Sequence, residues 1–208
     1  MTPMAWAAAL AAVALALGLL ACAWHRRRAI SALAFDLHPP PVPARVLDAV
    51  REAEARHYAG VGAVRRRLET LQDAAAAWLP DLVALADWSV GPYRVRPSTI
   101  APLLPWARAQ GWFVPRGPRA LSVRAALAHF AVRRSTGAWQ AAVLLEHLST
   151  RHPALRGLDW QAIATDPQRV ALLYSGYLGA GGDWAGWRAT PKPGAEALRR
   201  MPPQRPAP

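Results

Sequence analysis

Trp88-Ser89-Val90-Gly91-Pro92-Tyr93-Arg94-Val95-Arg96-Pro97-Ser98-Thr99 is the stretch whose reading decides the fold. It places Gly, Ser, prolines, aromatics and arginines in an order that follows no amphipathic period, while apolar residues on both sides recur at helical spacing. Such a run is a shaped loop between helices. Upstream, residues 43–78 carry Val46, Val50 and Ala53, then Val64, Leu68, Leu71 and Ala75, at intervals of three and four, with a break at Gly60-Val61-Gly62. These predict two helices whose apolar stripes face a core. Downstream, helices are predicted over 102–110, 121–134, 138–150, 160–164, 167–177 and 194–201. Asp159 and Asp166 stand at cap positions, and Pro167 suits a first helical turn. No alternating pair of strands is evident, so the predicted class is all-α.

Farther out, residues 4–24 hold no charged side chain and are mostly Ala, Leu and Val. About 21 residues at a rise of about 1.5 Å cross a hydrocarbon core of about 30 Å. The predicted organisation is a membrane anchor with a basic flank (1–28), a Pro-rich spacer (29–42) built on Pro39-Pro40-Pro41, a helical domain (43–201) and a disordered tail (202–208). Two signals disagree about sidedness. His25-Arg26-Arg27-Arg28 follows the apolar run directly, and cationic flanks stay in the cytoplasm. Leu19-Leu20-Ala21-Cys22 resembles a bacterial lipobox, which makes the run an export signal ahead of a lipidated Cys22.

The chain has 208 residues, 25 Lys plus Arg against 13 Asp plus Glu, and a formal net charge of +12. That balance favours an anionic partner: a lipid surface, nucleic acid or an acidic cell-wall polymer. The single Cys22 excludes an internal disulfide and a multi-cysteine metal site. His129, His147 and His152 lack metal-ligand spacing, and Gly179-Ala180-Gly181-Gly182 is not followed by the Lys-Ser/Thr of a phosphate loop. No metal or cofactor is expected. Acids are scarce enough that each one in an apolar context is a candidate for chemistry. Glu54 lies four residues after Val50 and is expected on the apolar side of its helix, where desolvation raises a carboxyl toward the range of a general acid. An ordinary helix ion pair with Arg51 is the competing expectation. Asp73, Asp81 and Asp87 are the rival acids.

Ser89-Val90-Gly91-Pro92 followed by Arg94-Val95-Arg96-Pro97-Ser98-Thr99 resembles the segment of lysozyme-like lytic transglycosylases in which a Ser-and-Gly turn leads into Gln-Ile-x-Pro-x-Thr. Val170-Ala171-Leu172-Leu173-Tyr174-Ser175-Gly176 resembles the same family's Ala-Tyr-Asn-x-Gly helix end, and residues 138–148 resemble the helix that packs beneath its groove. Arg94 stands where that family has Gln, and Ser175 where it has Asn. A second resemblance is to monofunctional peptidoglycan glycosyltransferases, through Glu54-Ala55-Arg56-His57-Tyr58-Ala59-Gly60-Val61 and Ser98-Thr99-Ile100. There Ala55 replaces an Asp, and the second catalytic Glu of that family has no counterpart.

Both resemblances nominate Glu54 as the catalytic residue. The first implies a lysozyme-like helical domain in which Ser89, Tyr93, Arg94, Thr99, Tyr174 and Ser175 bind substrate, with Arg94 meeting a lactyl or peptide carboxylate and Trp88, Tyr93, Tyr177 and Trp184 available to sugar faces. The implied partners are peptidoglycan glycan strands, the membrane through residues 4–24, and envelope proteins. Nucleic acid is not expected. The implied location is the bacterial inner membrane, single-pass, with the domain in the periplasm, against the cytoplasmic placement that the arginine flank implies. Two further expectations stay open: a non-catalytic domain that binds glycan or envelope proteins, and a lipid II polymerase.

Overall fold

The computed structural model describes residues 2–31, 34–59, 62–116 and 123–179. Those residues are mostly helical. α1 (Pro3–Ser31) contains the apolar run, and Met4–Ile30 is long and apolar enough to cross a membrane, its most apolar 18 residues having a mean hydropathy of 2.3 and none of them being buried. Then follow β1 (Ala34–Leu37), α2 (Ala44–Ala59), α3 (Ala63–Trp78) and α4 (Pro80–Ala86). After the 88–99 loop come α5 (Pro97–Ile100), a 3-10 turn (Ala101–Leu103), α6 (Leu104–Ala109) and β2 (Phe113–Arg116). The chain closes with α7 (Val123–Ala131), α8 (Arg134–Arg151), α9 (Trp160–Thr165) and α10 (Pro167–Gly179). The predicted helix 194–201, the tail 202–208, Trp184 and most of the glycine run lie outside the described residues.

α8 is the centre of the domain. Ala141, Ala142, Val143, Leu144, Leu145 and Leu148 are all buried, and a helix apolar on every side has to be wrapped by others. α2, α5, α7 and α10 pack against it. α2 contributes Val46, Val50 and Ala53, and α10 contributes Val170 to Leu173 with Tyr174 and Tyr177. The caps fall where expected: the Asp159 carboxylate accepts the Ala162 N–H at 2.6 Å, and Asp166 accepts the Gln168 N–H at 2.8 Å.

Within the loop, Val90 and Val95 form an antiparallel bridge, and the turn between them closes where the Arg94 N–H donates to the Gly91 carbonyl at 3.1 Å. Asp87 ends α4 in the left-handed region, at φ 50°. From there its carboxylate accepts the Ser98 N–H at 3.0 Å and the Ser98 hydroxyl, capping α5 from across the loop. Asp87→Ala removes both bonds and places a Cβ-bearing residue without a polar side chain in that conformation. We expect a loss of about 1–2 kcal/mol, read as a fall in melting temperature.

Three expectations are corrected. The predicted spacer is part of the fold: α1 continues to Ser31, Ile30 is buried against Ala84, Ala125, Ala126 and Phe130, and Val42 joins the main core. Within that segment β1 pairs antiparallel with β2, Leu37 opposite Phe113, so a small sheet exists where none was predicted. Two four-residue strands separated by residues 38–112 leave no recognisable period. The second correction concerns the apolar stripe of α3, which faces outward. Val64, Leu68 and Leu71 are exposed, while Glu69 and Ala76 are buried. The third concerns the break expected between helices 121–134 and 138–150: α7 stops at Ala131 and α8 already starts at Arg134, with Gly137 inside α8 packed directly against the Ala131 carbonyl, where a Cβ would approach to 2.6 Å.

The basic flank is also built in. Arg26 makes a two-pronged contact with Asp81 of α4, at 2.8 and 3.0 Å, and the Arg27 guanidinium lies 4.1 Å from the centre of the Trp78 ring. Asp81 is therefore a joint between α1 and the domain.

Candidate functional site

A cleft of about 570 Å³ opens between α2, α3, the 88–99 loop and the start of α8. α2 lines it with Arg51, Glu52, Glu54 and Ala55, α3 with Asp73, the turn with Gly91, Pro92 and Arg94, and the α7–α8 junction with Val132 and Arg134.

Glu54 is 3% exposed, buried by the same α2 face that carries Val50 and Ala53 into the core. Its Oε1 accepts the Tyr174 hydroxyl at 2.8 Å, a contact that joins residues 120 apart in sequence. Burial pushes the Glu54 pKa up to about 7, and the nearby Glu69 adds to the rise; the Tyr174 hydrogen bond and the positive charge of Arg94 oppose it. Near neutrality this carboxyl is divided between acid and base forms. Arg51 pairs with Asp48 at 3.0 Å, so the ordinary ion pair foreseen for Glu54 goes elsewhere.

Asp73 organises the loop side of the cleft. Its Oδ1 accepts the Gly91 N–H at 2.9 Å and an Arg94 N–H at 3.1 Å. Glu69, one turn earlier on α3, lies 3.6 Å from the same guanidinium. Arg94 has φ 50°, and this backbone turns its side chain toward the two acids. The loop is thereby fixed to α3 by one guanidinium and one backbone amide.

The nominated residues separate into those at the cleft and those behind it. Glu54 and Arg94 line the cleft, and Tyr174 lies behind Glu54, wholly buried. Tyr93 is buried, and its carbonyl accepts the Tyr177 hydroxyl, so both tyrosines tie α10 to the loop. The Ser175 hydroxyl donates to the Ala171 carbonyl at 2.9 Å within α10. Ser89 and Thr99 are half-buried and do not line the cleft. Trp88 packs on the small cluster of Ala76, Val83, Val90, Ala128 and Ala131. Sequence reasoning missed Glu69, Val132 and Arg134. Glu69 and Asp73 are one helical turn apart, and that spacing on a helix with an otherwise basic start was the available signal.

No family model matches the chain, and no curated protein or solved structure matches it.

Proposed function

We propose that the protein is a membrane-anchored, lysozyme-like enzyme that cleaves peptidoglycan glycan strands with Glu54 as its single acid/base. One observation carries the reading: a buried carboxyl with a pKa of about 7, oriented by Tyr174, at the wall of an open cleft. Protonated Glu54 donates to the glycosidic oxygen between N-acetylmuramic acid and N-acetylglucosamine. The resulting carboxylate then takes the proton of the muramoyl 6-hydroxyl as that oxygen closes on C1, giving a 1,6-anhydro end and restoring the acid.

A hydrolase with paired carboxylates needs a second acid free to act as base or nucleophile. Glu52 and Asp73, the other acids lining the cleft among the described residues, are engaged by Arg56 at 3.3 Å and by Gly91 and Arg94 respectively. A one-carboxyl mechanism fits this arrangement. Arg134 at the rim is placed to meet lactyl or peptide carboxylates.

Export places the domain in the periplasm, on the outer side of a bacterial inner membrane, with envelope proteins as neighbours. The arginine flank then has a structural reason to exist, since Arg26 and Arg27 join α1 to α3 and α4. A second reading, a non-catalytic domain that binds glycan or envelope proteins, draws support from Arg94 being held by acids and Ser175 by its own helix.

The deciding experiment digests sacculi with the purified full chain and follows 1,6-anhydro muropeptides by mass spectrometry. The full chain is needed because Ile30 and β1 belong to the fold. Absence of anhydro products selects the binding reading.

Tyr174→Phe tests the assignment of the acid. The lost hydrogen bond favoured the ionised carboxylate, so the Glu54 pKa rises above about 7. The alkaline limb of the pH–rate profile moves to higher pH, while the maximal rate falls by about tenfold from lost positioning. An unmoved limb would assign the titration to another group.

A further inference from the structure

We propose that the outward face of α3 and α4 lies against the surface of the phospholipid bilayer that α1 enters. The pattern on α3 is the reverse of what water selects. Val64, Leu68 and Leu71, at i, i+4 and i+7, form a stripe that is 75%, 53% and 64% exposed, while Glu69 is buried and Asp73 faces the cleft. α4 continues the patch with Leu82 and with Leu85, the latter 86% exposed. Large apolar side chains exposed together along one helix face and the helix that follows it mark an interaction surface.

The occupant follows from where α1 leaves the domain. Arg26 and Arg27 join α1 to Asp81 and Trp78, at the junction of α3 and α4, and Ile30 is buried one turn later. These contacts fall in the last turns of the span Met4–Ile30, at the depth where a crossing helix meets the headgroups. The apolar patch adjoins that joint, so it is held at the bilayer surface. Arg67, exposed and flanking Val64 and Leu71 on the same side of the helix, brings a cationic side chain to the phosphate layer. With α3 lying in the interface, its other face is the cleft wall. The site then sits within about one helix diameter, about 10–12 Å, of the headgroups, whatever reaction it carries out.

The test uses the full chain with its one native thiol removed by Cys22→Ala. Single cysteines replace Leu68, Leu71 or Leu85, with exposed Arg156 and Gln168 as controls, and carry an environment-sensitive fluorophore. The chain is reconstituted into vesicles of phosphatidylethanolamine and phosphatidylglycerol. Fluorophores at 68, 71 and 85 are expected to lose most of their emission to brominated acyl chains and little to aqueous iodide, with the controls behaving oppositely. Iodide quenching at 68, 71 and 85 would overturn the proposal by placing the face in water. Shielding from both quenchers would overturn it by placing another protein there.

Discussion

Glu54→Gln is expected to reduce release of anhydro muropeptides by at least about 10³-fold, because it removes the one carboxyl among the described cleft residues that no cation or backbone amide engages. The amide is nearly isosteric and still offers an oxygen to the Tyr174 hydroxyl, so the fold should survive. A second readout separates chemistry from misfolding. In the native protein the Glu54 carboxyl holds its proton to about pH 7, whereas in the unfolded chain it releases it near the ordinary value of 4.5. The folded state therefore binds more protons than the unfolded state between those values. Stability falls as pH rises through that window and is level above it, a loss of about 3 kcal/mol. The substituted amide does not titrate, so the variant should show no such decline. At pH 8 it should melt about 5–10 °C above the parent, and near pH 4 at about the same temperature. Inactivity with higher stability at alkaline pH is the signature of a desolvated catalytic acid. A variant that retains activity would remove Glu54 from the mechanism.

The largest effect on folding is expected from Gly91→Ala. Gly91 has φ 77°, a conformation costly for any residue with a Cβ, and an added Cβ would lie 2.1 Å from the Ala131 carbonyl oxygen. That oxygen belongs to the last turn of α7, so no flexible side chain can give way. Moving the turn breaks the Gly91 N–H bond to Asp73 and pulls Arg94 from its two acids. A cost of about 3 kcal/mol or more follows, a fall of about 10 °C in melting temperature. If the variant stays folded, its activity should fall too, because Gly91, Pro92 and Arg94 form one wall of the cleft. Gly111→Ala is the control: its φ is similar at 75°, but an added Cβ meets nothing within 4 Å, so only the backbone cost of about 1 kcal/mol applies.

Much of the helix content was legible because its signals are local. Asp159 and Asp166 were readable as caps, and the Val46, Val50, Ala53 spacing put Glu54 beside the buried stripe of α2. The same periodicity misled at α3. A stripe of Val64, Leu68 and Leu71 identifies an apolar face without saying whether core or another apolar medium lies beyond it. At the loop, the glycine and prolines announced a turn, yet the reason that position 91 is glycine is a carbonyl forty residues later. Arg94 read as a substrate contact because acids that pair with it lie on another helix, more than twenty residues upstream.

The sequence by itself determined the apolar span, the predominance of helix, the punctuation at 88–99 and the short list of acids worth watching. These depend on propensities and spacings that act within a few turns of chain. Tertiary structure alone decided that Tyr174 would reach Glu54, that Asp73 and Glu69 would hold Arg94, that Arg26 would fasten the span to Asp81, and that α3 would turn its leucines outward. Desolvation and ion pairing depend on which groups distant segments bring together, and no local pattern records that.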